Sequence, residues 1–438
     1  MKKIAQIVIL ILLFTANSFA QEKYGIGDEN NNWLNNWTHF VPNDEDYDES
    51  TKILAGDISE NTTLYKRETY LLTGSVFVTN NATLTIEPGT VIVGDFDSKA
   101  SLTITKGAKI IAEGVETDPI IFTSNRSVRK SGDWGGIIIL GNAPTNKYGQ
   151  GSTALFHDEM SSKTYLAANY GGDSINDNSG DFKYVRIEFA GKRSKKGGYL
   201  NGLTLAGVGN ETVIDHVMVS YSGGNSIEVL GGSVNMSNIV SFKSSSNDFK
   251  FNFGSQAKLS NSLAVRSPYM SNGNGSTCLK VLSYDKKEDI DLSKATTSVI
   301  AQNLTLLNDS KDLQQDIRMN LVKEGVFVGE DTNISMDHTV VSGFKPAILF
   351  DKHIVIGQEA LDKINLKYMF FNSCEGNIFV DGSSNNDSIE EYYGAAYFGN
   401  LFDNNGNNYE TFIDIKNTKR PDYRLQINGI VALNESKN

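Results

Sequence analysis

Two neighbouring segments of this chain match at a spacing of 22 residues. Ser220-Tyr221-Ser222-Gly223-Gly224-Asn225-Ser226-Ile227-Glu228-Val229 is followed by Phe242-Lys243-Ser244-Ser245-Ser246-Asn247-Asp248-Phe249-Lys250-Phe251. Asn225 falls on Asn247, Ile227 on Phe249 and Val229 on Phe251. A repeat of about 20–30 residues made of short alternating strands specifies a solenoid, because one repeat cannot bury its own apolar face and must stack on the next. Gly (40) far outnumbers Pro (7), and Tyr (18) and Phe (22) are abundant. With little that could form a long amphipathic helix, the chain reads as all-β and turn-rich.

Short apolar strands recur along most of the chain. Val76-Phe77-Val78, Leu84-Thr85-Ile86, Val91-Ile92-Val93, Leu102-Thr103-Ile104, Ile120-Ile121-Phe122 and Ile137-Ile138-Ile139-Leu140 come first, with Glu87-Pro88-Gly89-Thr90 and Lys106-Gly107-Ala108 as turns. Pro presets φ in such turns and Gly permits positive φ. Strands this short suit the faces of a coil and not a two-layer sandwich. Polar excursions interrupt the pattern at 141–182 and 267–297. The segment Ile334-Ser335-Met336-Asp337-His338-Thr339-Val340-Val341-Ser342 echoes Ile214-Asp215-His216-Val217-Met218-Val219-Ser220. Its Asp-His pairs have no evident nucleophile and read as equivalent surface positions of two coils.

Residues 1–20 read as a signal peptide: Lys2 and Lys3 form a basic start, Ile4 to Phe14 an apolar run, and Ser18-Phe19-Ala20 a cleavage site that leaves Gln21 as the mature N-terminus. The apolar run is about half the roughly 20 residues a membrane span needs, and no later segment could cross a bilayer as a helix. The destination is the periplasm, the outer membrane or the medium. A formal charge of −12 opposes binding nucleic acid through the overall field. Two cysteines, Cys278 and Cys374, exclude a cysteine-built zinc or iron–sulfur site. In an exported chain they could pair, and the sequence leaves that open.

Five segments, in order, carry a resemblance: Leu84-Thr85-Ile86-Glu87-Pro88-Gly89-Thr90, Gly132-Asp133-Trp134-Gly135-Gly136-Ile137, Tyr184-Val185-Arg186-Ile187-Glu188-Phe189-Ala190-Gly191, Asn201-Gly202-Leu203-Thr204-Leu205 and Leu230-Gly231-Gly232-Ser233-Val234. Over about 70–350 the chain resembles exported right-handed parallel β-helix proteins of pectin-lyase-like architecture, common in Bacteroidetes. That resemblance implies a fold more firmly than an activity. Relatives carry paired aspartates where this chain has Gly224-Asn225-Ser226-Ile227-Glu228 and Ser246-Asn247-Asp248-Phe249-Lys250, so the acidic cluster of the group is largely missing. The sorting domain that anchors many relatives is not visible in 382–438. Asp173-Ser174-Ile175 and Asp387-Ser388-Ile389 look like the O-glycosylation acceptor of that bacterial group, at Ser174 and Ser388.

Strand parity sorts the candidate binding residues. With Ile227, Val229, Phe249 and Phe251 inside, Ser226, Glu228, Asp248 and Lys250 should face out, with Glu228 and Lys250 stacked about 4.8 Å apart. Arg186 and Glu188 share an outward face by the same rule. The plain reading of each couple is an ion pair on a solvated face. The alternative is a lyase groove, in which Arg186 or Lys250 abstracts a proton beside a uronic carboxylate. Asn225 and Asn247 read as a stacked amide ladder. Asp173, Asp177 and Asp181 place oxygen ligands in a Gly/Asn-rich loop, which leaves calcium as the one cofactor to consider.

The expectation is therefore a signal peptide (1–20), an N-terminal cap (21–70) whose aromatic residues pack across the first coil, a right-handed parallel β-helix (71–381) and a C-terminal cap (382–438). The function expected is non-catalytic: an exported envelope or secreted binding module for a glycan or an outer-membrane partner. A polysaccharide lyase or glycoside hydrolase, and an adhesin-like structural protein, are the alternatives.

Overall fold

The computed structural model describes residues 24–27, 32–158, 162–273, 276–403 and 406–426. The proposed cleavage site at Ala20 and Gln21 lies outside them. Among the described residues, twenty-eight strands form one sheet, wound as a right-handed parallel β-helix with three faces. The first face runs from Thr62–Leu64 through Thr83–Ile86 and Lys109–Glu113 to Ile364–Lys367. The second includes Val91–Gly94, Ile120–Ser124, Leu263–Arg266, Thr305–Asn308 and Phe370–Asn372. The third stacks Ser101–Ile104, Gly136–Leu140, Leu203–Ala206, Ile227–Leu230, Phe249–Asn252 and Leu279–Val281, ending at Ile378–Val380. Three longer strands, Gly180–Glu188, Val213–Ser220 and Asn235–Phe242, bend across the first two faces.

The 22-residue spacing is one turn of the coil: Ile227 pairs with Phe249, Glu228 with Lys250 and Val229 with Phe251. Inward residues stack rung on rung into one interior cluster of Val, Ile, Leu and Phe. The corner between the first two faces is made by single residues in the left-handed region, among them Tyr184, His216, Asn238, Asn261, His338 and Tyr368, all with φ between 47° and 55°. Asn tolerates that conformation, whereas aromatic residues adopt it at a cost. Stacking of His216 on Tyr184 at 4.3 Å and of His338 on Tyr368 at 4.9 Å offsets it. The two Asp-His pairs are thus equivalent corners of two coils, as their repetition predicts.

The N-terminal segment departs from expectation. Its aromatic residues do not pack across the first coil. They run along the outside of the second face as a strap, against the direction in which the coil advances. Tyr24 lies against His338 and Phe370, Ile26 donates its N–H to the Thr305 hydroxyl, and Gly27 donates to Asn261. Trp33 and Trp37 reach Tyr184 and His216, and Phe40 packs on Phe242 at 5.0 Å. The cause is an apolar stripe on the outside of this face, made of Met218, Val240, Leu263, Val265, Leu307, Val340 and Phe370. Water-facing apolar area of that extent demands a cover. The hairpin Phe412–Asp414 with Asp422–Leu425 completes it through Phe412, Tyr423 and Leu425.

The two excursions cover the outside of the third face in the same way. Tyr170 and Ile290 pack on Ile138, Leu140, Ala206, Leu230 and Phe253, and a bridge between Lys147 and Ile290 joins the excursions. At the C-terminal end, the helix Asp387–Gly394 lays Ile389 and Tyr393 on the interior cluster. No helix among the described residues is long and apolar enough to cross a membrane.

Cys278 and Cys374 are free, buried thiols, so the structure does not form the disulfide that the sequence leaves open. Cys278 precedes the rung Leu279–Val281 and Cys374 precedes Ile378–Val380, with Val326–Val328 and Ile348–Phe350 stacked between. Three rung steps amount to about 14 Å, twice the roughly 7 Å that a disulfide tolerates between Cα atoms.

Candidate functional site

The third face carries the amide ladder read from the repeat, and it is longer than predicted. The Asn247 side-chain amide donates to the Asn225 oxygen at 2.8 Å, and Asn225 donates to the Asn201 oxygen at 2.9 Å. Thr277 donates to the Asn247 oxygen from the next rung at 2.8 Å. Asn201 then turns its own amide to Glu228, at 2.7 Å. Each amide occupies the same turn one rung apart, so donor meets acceptor without displacing the backbone.

Glu228 and Lys250 do face outward and pair at 2.8 Å, but they are not on a solvated surface. The excursions leave Glu228 buried and Lys250 largely so. Burial pulls the Lys250 ammonium down, but Glu228 and then Asp285 outweigh it, and its pKa is held above the ordinary lysine value. A proton-abstracting lysine needs the opposite shift. The neighbouring Tyr170 phenol is pushed up by burial and then by Glu228.

Arg186 and Glu188 also share an outward row, beneath the strap. The Arg186 guanidinium lies 3.2 Å from the Glu188 carboxylate, 2.7 Å from that of Glu45 and 2.8 Å from the Tyr47 hydroxyl. Arg129 fastens the strap beside them by donating to the carbonyls of Pro42 and Glu45. Burial raises the Glu188 carboxyl above its usual range, against the pull of Arg186. A guanidinium bound between two carboxylates cannot serve as a base. Both predicted couples are therefore buried ion clusters, not solvated pairs.

Asp248 and Ser226 do not face out as strand parity predicts. Both side chains turn into the coil at the corner between the second and third faces. Asp248 accepts from Ser241 at 2.5 Å and pairs with Arg266 at 3.0 Å, and Ser226 bonds Ser241 at 2.6 Å. Arg266 also donates to the Ser246 carbonyl at 2.5 Å. Both ions are buried. The parity rule fails because these residues precede the strand proper and belong to the turn. Arg266 escapes sequence reading because a lone arginine ending an apolar strand looks like its solvated edge.

Asp173, Asp177 and Asp181 are not gathered into a site. Asp173 is exposed in its loop, Asp177 accepts from Asn142 and Ser179, and Asp181 lies in the strand opposite Ile111 and Val213. Among the described residues no three His, Cys, Asp or Glu side chains are placed to hold a metal ion. Ser174 is exposed in an open loop, whereas Ser388 is exposed in the helix Asp387–Gly394 with its neighbour Ile389 buried.

An open groove of about 670 Å³ lies elsewhere, beside the first coils of the third face. Phe77, Ser75 and Ser101 form its floor, with Phe156 and Leu200 as apolar walls. The short hairpin Arg193–Ser194 with Gly198–Tyr199 stands along one side and brings Lys192, Arg193 and Lys195 to the rim. Lys99 and Asp158 pair at its edge, and Asp158 also accepts the Lys195 backbone N–H. Asp57 and Asp97 line the groove as well. His157 packs on Phe77 behind it, with ring centroids 4.9 Å apart. A groove of this size with apolar patches and convergent polar groups has the character of a ligand site. Its sequence signal is Lys192-Arg193-Ser194-Lys195-Lys196, a dense basic run in an acidic chain that strand periodicity does not mark.

No curated protein matches the chain. Among solved structures, the Dettilon tailspike protein aligns at 12% identity and a TM-score of 0.26, over 76% of this chain and 63% of that one. The catalytic domain of a GH87 alpha-1,3-glucanase in complex with tetrasaccharides aligns at 10% identity and a TM-score of 0.26, over 84% and 67%. The model of the pectate-lyase-like beta helix domain matches residues 56–413, and the chain belongs to that family.

Proposed function

We propose that this is an exported, non-catalytic β-helix module that binds a saccharide in the groove beside the first coils of the third face. The observation that carries this reading is the contrast between that groove and the charged couples. Arg186, Glu188, Glu228 and Lys250, the residues from which lyase chemistry would be built, are covered and paired with one another. The groove is open, with serine, lysine and aspartate side chains beside the apolar walls Phe156 and Leu200. Such a mixture matches sugar rings, which present hydroxyls at their edges and C–H groups on their faces.

The test is calorimetric titration of the chain from Gln21 onward with a panel of oligosaccharides, with the same mixtures analysed for new reducing or unsaturated ends. Saturable binding without cleavage is the result expected. Turnover of any member of the panel would establish an enzyme instead. Quantitative recovery in a complex with an outer-membrane protein, with no saccharide binding, would make the partner a protein.

A further inference from the structure

The groove is asymmetric in charge, and that asymmetry selects among sugars. The chain carries a net −12, yet Lys99, Lys192, Arg193 and Lys195 all line this one site. Lys99 is neutralised by Asp158. Lys192, Arg193 and Lys195 form no ion pair among the described residues. The Lys192 ammonium instead sits 3.5 Å above the Phe96 ring and donates to the Phe96 carbonyl. The Arg193 guanidinium lies over the Tyr199 ring. Burial, and then the neighbouring Lys99, hold the Lys192 pKa below its ordinary value, against the pull of Asp133, Asp97 and Asp95. Asp57 and Asp97 also line the groove and form no ion pair among the described residues. They repel an anion and accept hydroxyls. The wall at Gly56 and Gly74 is bare: a Cβ added to either would meet nothing within 4 Å, so a ring can approach the backbone.

We infer that the ligand of this groove is a saccharide bearing a sulfate ester, the ester lying against Lys192, Arg193 and Lys195 and the ring hydroxyls against Asp57 and Asp97. This rests on the saccharide reading above and narrows it. A sulfate is favoured over a carboxylate because three cations without an ion-pair partner line the one groove, and a sulfate ester presents three terminal oxygens, one for each, where a carboxylate presents two.

Calorimetry with a heparin tetrasaccharide, an oligogalacturonate of equal length, maltotetraose and sodium sulfate separates the possibilities. The heparin fragment should bind more tightly than the other three and weaken as salt rises. Arg193→Gln and Lys195→Gln alter exposed side chains and leave the fold in place, which an unchanged melting temperature verifies. Each should weaken the heparin fragment by roughly tenfold, a clearly larger loss than maltotetraose suffers. Equal or tighter binding of the galacturonate would overturn the sulfate assignment. Equal binding of maltotetraose, insensitive to either variant, would overturn the charge argument while the saccharide reading stood. Sodium sulfate binding as tightly as the heparin fragment would show an anion site without sugar recognition, and absence of binding by all four would overturn both readings.

Discussion

The Arg186 guanidinium and the Glu45 carboxylate meet at 2.7 Å although 141 residues separate them in the chain. Arg186 belongs to the second face of the coil and Glu45 to the strap that crosses it, so this pair marks where the N-terminal segment is fastened. Glu188 lies on the other side of the same guanidinium. Removing Arg186 would leave two carboxylates facing each other, one of them buried.

Arg186→Ala is expected to cost about 3–5 kcal/mol, the usual cost of stranding a buried charge. Trp37→Ala, which empties a fully buried indole site in the strap, should cost a similar 3–5 kcal/mol. Denaturant unfolding measures both. Limited proteolysis should cut the strap of each variant well before the coil. If midpoints and cleavage rates match those of the unaltered chain, the strap is an appendage and not part of the cooperative unit.

Asn225→Ala would interrupt the amide ladder at its middle, leaving the Asn247 side-chain and backbone N–H groups without their acceptor. Each stranded buried amide costs about 1–3 kcal/mol. Asn225→Asp keeps the acceptor toward Asn247 but sets a carboxylate oxygen against the Asn201 oxygen at a buried position, so it should fall below the alanine variant. The order of the three unfolding midpoints is the measurement, and an alanine variant as stable as the parent would remove the ladder from the account of stability.

The Asp248–Arg266 pair inside the coil should behave non-additively. Asp248→Ala leaves Arg266 charged and buried and should cost about 3–5 kcal/mol. Asp248→Leu combined with Arg266→Met removes both charges and keeps the volume, and should recover most of that loss. A double variant less stable than the single one would show that the pair stabilises the corner beyond mutual neutralisation.

His157 gives the fold a pH dependence of known sign. It is buried against Phe77, and burial depresses its pKa from 6.5 to about 4. The folded state therefore binds this proton less readily than the unfolded chain. Its contribution is fully present above 6.5 and is lost as pH falls toward 4, by on the order of 3 kcal/mol. His157→Phe removes the titration, so the difference between parent and variant unfolding free energies should change across that window and be flat above it. A constant difference from pH 4 to 7 would refute the assignment.

The coil was legible because parity and spacing are properties of the chain itself. Ile227 and Phe249 announce a rung since a parallel solenoid repeats each inward position after one turn, and the Asn225–Asn247 ladder follows from the same register. Strand residues obey the alternation, so parity alone puts Glu228, Lys250, Arg186 and Glu188 on the outer side of the coil, where the structure has them. What covers them was not legible. The strap meets residues up to 383 positions away, as Phe40 does at Tyr423, and no local pattern encodes that. One trace was present: Val217-Met218-Val219, Leu263-Ala264-Val265 and Thr305-Leu306-Leu307 lack the polar alternation of a half-exposed strand. Uninterrupted apolar runs mark strands covered on both sides.

Local alternation and the 22-residue period, then, determined the coil, its rung register and its interior, because these need only neighbouring residues. The tertiary structure decided which outward residues are buried, since that depends on where the strap and the two excursions fold back. It turned two expected surface ion pairs into buried clusters. It drew Asp248 and Arg266 inside, and it left a groove open beside Arg193, because burial and charge environment are set by distant segments that share no period with the residues they cover.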